Sequence, residues 1–400
     1  MRNGNGFCAA PPPLPYLPPE RAADALLLEN ERLGVAAATC SEISRLVLSE
    51  LGIEISGPAP SDAVRVLRGS IETACRLGEV ALKPFRRSPY GGTGIEAVGP
   101  DRFRVLAKSP SGTPLLTEFV SGAVRNGRFY LRRELHELGN DGTYTVTNFV
   151  TSEDLATGKT ECALLRDVPE WSKMSPKTVI KNVRAPLFSV FTAAEDGAPL
   201  FHRGAKLIAE IEKQFDRLTW EYEGGELAID ASVDAFRVGR DGKPELPQGK
   251  ERLWRTNMLD ACSSQSDLLR IYNPELRDAS YIRGLDRLLI HYEDAVGLAR
   301  GTFSDPAAVP RSATEVRSTR QKTFSLADRV RQGFFSALDG LRYALDVFGT
   351  LYDGRKPGET GITVTYGDGL TDGKTHTYRA GKDAGDDERR KHDERNERNG

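Results

Sequence analysis

The hydrophobic period of this chain changes twice, and that alternation restricts it to folds that mix long helices with an antiparallel sheet. From about Ala22 to Leu51 the apolar residues Leu26, Leu27, Leu33, Ile43, Leu46, Val47 and Leu51 suit a helix. A second helix fits Ser61 to Leu77, with Val64, Val66, Leu67, Ile71 and Ala74 toward a core. Between Glu79 and Val190 the period shifts toward two, in runs such as Arg128-Phe129-Tyr130-Leu131 and Thr143-Tyr144-Thr145-Val146-Thr147. Asn126-Gly127 and Asn140-Asp141-Gly142 separate these runs as turn signals, which predicts an antiparallel meander. The helical period then returns. It predicts helices over Pro199–Tyr222, Leu276–Leu298 and Ala313–Leu351, with short strands at Leu227–Ile229, Ala235–Val238 and Leu268–Tyr272 around an Asp241-Gly242-Lys243-Pro244 turn. The fold class is therefore α+β.

Composition narrows the function classes. A formal net charge of −2 over 400 residues excludes a globally basic nucleic-acid binder but leaves room for a local basic patch. Cys8, Cys40, Cys75, Cys162 and Cys262 are scattered and never form a C-x-x-C pair, so reduced thiols are expected rather than a zinc site or a disulfide framework. The histidines (His136, His202, His291, His376 and His392) are scattered too, and neither a metal nor another cofactor is expected. No apolar run reaches the ~20 residues that span a bilayer. The prolines between Pro11 and Pro19 interrupt any signal-peptide core, so a cytoplasmic folding site and a mobile proline-rich arm are expected. The charged residues beyond Tyr378 predict a disordered tail.

Motifs that suggest catalysis fail on inspection. Gly158-Lys159-Thr160 and Gly373-Lys374-Thr375 resemble the end of a phosphate-binding loop, yet the position needing the first glycine holds Glu153 or Asp368. A carboxylate there would repel the phosphate. Gly91-Gly92-Thr93-Gly94 reads as a turn, and the calcium-like run from Asp368 to Gly373 has Leu370 where an oxygen ligand belongs. No serine sits in a G-x-S-x-G elbow. The chain is expected not to be an enzyme. The competing reading from these motifs is a nucleotide-dependent enzyme using one Gly-Lys-Thr site.

The order of several segments carries a more specific signal. Tyr130-Leu131-Arg132-Arg133-Glu134-Leu135-His136 ends in Glu-x-His, and Thr145-Val146-Thr147-Asn148 follows. Val168-Pro169-Glu170-Trp171, Ala185-Pro186-Leu187-Phe188 and Gly197-Ala198-Pro199-Leu200-Phe201-His202-Arg203 come next, then Trp220-Glu221-Tyr222-Glu223-Gly224-Gly225. Asn273-Pro274-Glu275-Leu276-Arg277 with Tyr281-Ile282, then Gly297-Leu298-Ala299-Arg300-Gly301-Thr302-Phe303-Ser304 and Ser312-Ala313-Thr314-Glu315-Val316, complete the series. In this order the segments resemble the portal proteins of siphophages, especially the minor-capsid-like portal family of phages infecting Gram-positive hosts. The resemblance spans about residues 25 to 350, and the alternative beside it is another virion or minor capsid structural protein with a similar helical core.

It implies a portal fold and a homo-oligomeric ring, usually of twelve subunits, at the head vertex of a virion assembled in the host cytoplasm. It further implies a conduit for double-stranded DNA that docks the terminase large subunit, head-completion and tail adaptor proteins, and scaffold and major capsid proteins, without a membrane. The corresponding organisation is a proline-rich arm at 1–21, a wing at 22–198, a first stem helix at 199–222 and a clip at 223–273. A second stem helix at 274–298, a tunnel loop at 299–313, a long helix with wing return at 314–378 and a charged tail at 379–400 follow. The expected crown is missing and a proline arm replaces the usual opening segment, so a truncated relative is expected. Arg300 to Arg331 holds seven basic residues against three acidic ones, a net of +4. Arg300, Arg311, Arg317, Arg320 and Lys322 are the expected phosphate contacts of the channel.

Overall fold

Ala63, Leu67, Ser70, Ile71, Ala74 and Cys75 recur at helical spacing, and all are buried along one face of α3 (Ala63–Leu77). The helix ends at Gly78, whose φ is +91° and whose N–H reaches Ala74 O at 2.7 Å. A Cβ at Gly78 would meet the carbonyl oxygen of Gly197, so only glycine lets the chain pass there. The computed structural model describes residues 19–49, 51–57, 62–86, 92–232, 236–237, 245, 253–257, 269–306, 313–367 and 375–381. The proline-rich arm before residue 19 and the charged tail after 381 therefore lie outside the described residues.

The expected single helix from Ala22 to Leu51 is two: α1 (Pro19–Asn30) and α2 (Val35–Leu48). The Glu31 carboxylate accepts the amides of Ala36 and Ala37, both at 2.9 Å, and so satisfies donors that a helix start leaves open. α2 packs on α3, and the Cys40 thiol lies 3.3 Å from Cys75 O. Both of these thiols are free, but Cys162 is disulfide-bonded, which corrects the expectation of reduced cysteines. Disulfide formation depends on closeness in space, and a partner distant in sequence leaves no spacing signature.

β2 (Glu79–Arg86), β3 (Thr93–Val98) and β10 (Ser189–Thr192) form an antiparallel sheet in the order β10-β2-β3. α3 and α6 (Ala313–Tyr352) both pack on it, which explains the continuous buried run from Val80 to Lys83 and on to Pro84. α6 has 40 residues and is roughly 60 Å long. It meets β10 so closely that a Cβ on Gly333 would strike the carbonyl oxygen of Thr192.

The meander is present as β4 (Phe103–Lys108), β5 (Pro114–Arg125), β6 (Arg128–Leu138), β7 (Tyr144–Asp154) and β8 (Thr160–Ala163) in sequence order. β9 (Lys177–Ile180) pairs with the start of β7. Asn126 and Gly127, at φ +50° and +74°, form the two-residue turn that sets Arg125 opposite Arg128. A third sheet, β1-β14-β15, joins β1 (Gly52–Ser56) to the late hairpin β14 (Gly361–Gly367) and β15 (Thr375–Arg379).

These elements belong to one unit, which takes the described residues up to Ala205, Val296–Ala299 and those from Ala313 on. A second unit takes Lys206–Ala295 and Arg300 onward to Pro306. Its helices are α4 (Ala205–Gly224) and α5 (Asp278–Val296), each slightly displaced from the expected bounds. They run antiparallel: Arg277 forks onto Glu221 at 2.8 and 3.1 Å, and Gln214 donates to Tyr281 O at 3.1 Å. Between them in sequence lie β11 (Ala228–Ser232), β12 (Trp254–Asn257) and β13 (Leu269–Tyr272), in the order β12-β11-β13. The β11–β12 pairing is parallel, and β12 was not among the expected strands. Phe236 and Arg237 are not strand, and the rest of the expected Ala235–Val238 strand and the Asp241–Pro244 turn fall outside the described residues. Among the described residues no helix is long and apolar enough to cross a membrane, and no three His, Cys, Asp or Glu side chains are grouped so as to hold a metal ion.

Candidate nucleic-acid interface and a buried charge cluster

The loop after α5 is built around one carboxylate. Glu293, fully buried, accepts the N–H of Phe303 at 2.6 Å and of Ser304 at 2.9 Å on Oε1. Its Oε2 accepts the Ser304 hydroxyl at 2.8 Å and the Gly301 N–H at 3.2 Å. Asp286 takes the Asp305 amide at 2.7 Å, and the Tyr292 and Phe303 rings meet at 6.3 Å between centroids. A buried charge with four donors is satisfied, and the loop from Gly301 to Asp305 is thereby tied to its helix.

The expected phosphate contacts do not form one set. Arg300 is exposed, yet it is paired with Asp294 at 2.7 Å, which raises its pKa through that hydrogen bond and the carboxylate's charge. Arg311 lies outside the described residues, and Arg317 lies in α6 with its side chain outside them. Arg320 and Lys322 are exposed on α6, but two residues apart they point about 200° from one another around the helix. Arg331, counted toward the +4, is buried: it pairs with Asp328 at 3.2 Å and lies over the Tyr366 ring at 5.1 Å. The basic segment is therefore not a uniform field, because one cation is neutralised and another is internal.

A different cluster was not singled out as chemistry from the sequence. Arg132, Glu134 and His136 alternate along β6 and so share a face. Lys83 reaches Glu134 from β2 at 3.1 Å, and Arg132 reaches the same carboxylate at 3.0 Å. His136 Nε2 lies 2.6 Å from Glu134 Oε1, and its Nδ1 lies 2.7 Å from the Tyr144 hydroxyl. A neutral imidazole satisfies both contacts: Nε2–H donates to the carboxylate and Nδ1 accepts from Tyr144. Burial alone would push the Glu134 carboxyl up, but Lys83, the His136 hydrogen bond and Arg132 together hold it well below the usual carboxylate range. Burial pushes the His136 imidazole down, against the opposing pull of Glu134, and burial pushes the Tyr144 phenol up. Phe119 and Phe188 pack edge-on against the imidazole, at 5.0 and 5.9 Å. With its donors and acceptors spent on one another, the cluster acts as a polar cross-link between two sheets. The signal for it was three polar residues spaced by two in a strand that has to bury one face.

Other features are plainer. Gly158-Lys159-Thr160 is the β7–β8 turn, where Lys159 is exposed and pairs with Glu161 at 2.8 Å. Gly92, at φ +72°, precedes β3, which Thr93-Gly94 open, while Gly91, Gly373 and Lys374 lie outside the described residues. A groove of about 300 Å³ is lined by Thr192, Asp196, His202, Arg203, Arg329 and Gln332, and His202 beside it binds Asp24 at 2.7 Å.

No family model matches this chain, and no curated protein matches it. Among solved structures, a chain in the neck of an empty gene transfer agent particle, computed with C6 symmetry, is similar at 11% identity, with 82% of each chain covered and a TM-score of 0.40. A chain in the neck of the native particle, computed with C12 symmetry, is similar at 10% identity over 85% of this chain and 82% of that one, with a TM-score of 0.38. A chain of the native virion of this agent follows at 11%, 87%, 83% and 0.36. Likenesses of this depth identify neither a fold nor a function.

Proposed function

We propose that this protein is a structural subunit of a phage-like particle, a portal-type ring at the head vertex through which DNA passes. The reading begins with the ordered sequence segments described above. The observation that carries it is the second unit, an antiparallel helix pair with a small sheet between its helices in sequence. That unit leaves large apolar side chains uncovered: Trp220 is 71% and Ile271 70% exposed, and Leu227, Tyr272, Leu276 and Ile282 are exposed too. Surfaces of this kind mark association sites. A closed ring of identical subunits would cover them head to tail, each copy seating on the next.

In this reading α4 and α5 are the stem pair, the residues between them form the clip, and the Glu293-tied loop meets DNA. The clip would face the terminase or the tail adaptors. The protein would perform no chemistry of its own. Electron microscopy and native mass of the purified chain test the reading, with closed rings of cyclic symmetry as the expected result. Trp220→Asp/Ile271→Asp should shift the mass to the single subunit while the far-ultraviolet circular dichroism is kept. A wild-type chain that stays monomeric at tens of micromolar would overturn the proposal.

A further inference from the structure

The longest stretch of this chain without a carboxylate runs from Trp171 to Ala194, between Glu170 and Glu195. It contains Lys173, Lys177, Lys181 and Arg184 and no opposing charge. The structure places this stretch on an edge: β9 pairs with β7 on one side and with no strand on the other among the described residues. All four cations are exposed. None of the three lysines has an ion-pair partner among the described residues. Asp141 is near enough for Lys181 to lower its pKa, behind the larger effect of the Thr143 amide and hydroxyl bound to it. Arg184 lies over the Tyr343 ring at 5.0 Å. This is the opposite of the segment around Arg300, where the structure pairs one cation and buries another.

We propose that Lys173, Lys177 and Lys181 form a contact site for the phosphate backbone of duplex DNA. Lys177 and Lys181, four residues apart, span at most about 13 Å, over which one DNA strand carries about four charges. Lysine supplies charge and donors without reading a base, so the site is indifferent to sequence. A single strand would need an aromatic platform, and the stretch's Trp171 is buried. An added protein strand would need a long pairing edge, and β9 offers four residues. Both observations favour the duplex. The inference goes beyond the ring reading and does not rest on it, since the edge belongs to one chain in whatever assembly that chain adopts.

Lysines on an open edge also keep sheets from pairing with one another, and the experiment separates that role from binding. Affinity of the full chain for a fluorescent random-sequence duplex is measured from low to moderate salt, with light scattering on each sample. Lys173→Ala/Lys177→Ala/Lys181→Ala should flatten the slope of log affinity against log salt by about 0.9 per lost contact, about 2.7 in all. A control that removes three exposed cations elsewhere, Arg45→Ala/Lys159→Ala/Lys213→Ala, should keep the wild-type slope. If the triple variant precipitates, the three single variants are read instead, each flattening the slope by about 0.9. Unchanged slopes, an equal loss in the control, or a wild type that does not bind duplex would each overturn the proposal. The last result would leave the ring reading to be decided by microscopy.

Discussion

Glu134 shows how one side chain can hold two sheets together. Its carboxylate faces Lys83 from the three-stranded sheet and Arg132 and His136 from its own strand. Removing one partner of such a buried set leaves the others uncompensated. Glu134→Gln should therefore destabilise by about 3–5 kcal/mol, measured by denaturant unfolding. The cluster also makes stability depend on pH. The folded His136 has a depressed pKa, so as pH falls below about 6.5 the unfolded chain takes up that proton first. Glu134 is depressed as well, so below about 4.5 the unfolded chain is again the better proton acceptor. Both effects lower stability as pH falls. The melting temperature should decline from pH 7 to 4, and His136→Gln should flatten the upper part of that decline, which begins near pH 6.5. A variant with the parent's pH profile would show that the imidazole titrates alike in both states.

Among the elements, the loop after α5 has the most specific mechanism. Its polar groups are aimed at Glu293, so Glu293→Ala should orphan the N–H groups of Phe303 and Ser304 and the Ser304 hydroxyl proton, while the Gly301 N–H keeps its bond to Ser304 Oγ at 2.9 Å. The cost should be about 3 kcal/mol locally, at about 1 kcal/mol for each lost bond. Limited proteolysis should then cut between residues 299 and 306 at a protease dose the wild type survives. Glu293→Gln, which keeps one acceptor oxygen, should lie between the two. Equal resistance in all three would mean that packing such as the Tyr292–Phe303 contact holds the loop without the carboxylate.

For the whole molecule, both units enclose apolar side chains and both leave others exposed, with Trp220 and Ile271 of the second unit the most exposed of all. The first unit buries Phe191, Phe201 and Phe334 completely, as a stable domain does. In the ring proposed above, the exposed Trp220 and Ile271 of the second unit would seat on the next copy. An enzyme using a Gly-Lys-Thr turn would need a loop that wraps phosphate, and Lys159 is instead paired to Glu161 on an exposed hairpin. Purified protein should show no ATP turnover above that of a Lys159→Ala/Lys374→Ala variant, measured by phosphate release. Turnover that vanishes in the variant would restore the nucleotide reading.

Local chemistry was enough to determine the helices α3, α4, α5 and α6 and, within the meander, the runs that became β6 and β7. Their apolar spacing and turn residues act over a few positions, as with Asn126-Gly127. The break between α1 and α2 was not legible as such, because it depends on the Glu31 side chain folding back onto amides five and six residues away. Pairing across long separations was decided only in three dimensions: β1 with β14, β11 with β12, and the disulfide of Cys162. The same division holds for the candidate sites. Counting charges placed the basic segment near Arg300, but only packing showed that Asp294 neutralises Arg300 and that Arg331 is internal. Glu134 and His136 were visible as a motif. That they meet Lys83 from a strand some fifty residues earlier follows from the stacking of two sheets, since burial and partners belong to the tertiary structure and leave no local pattern.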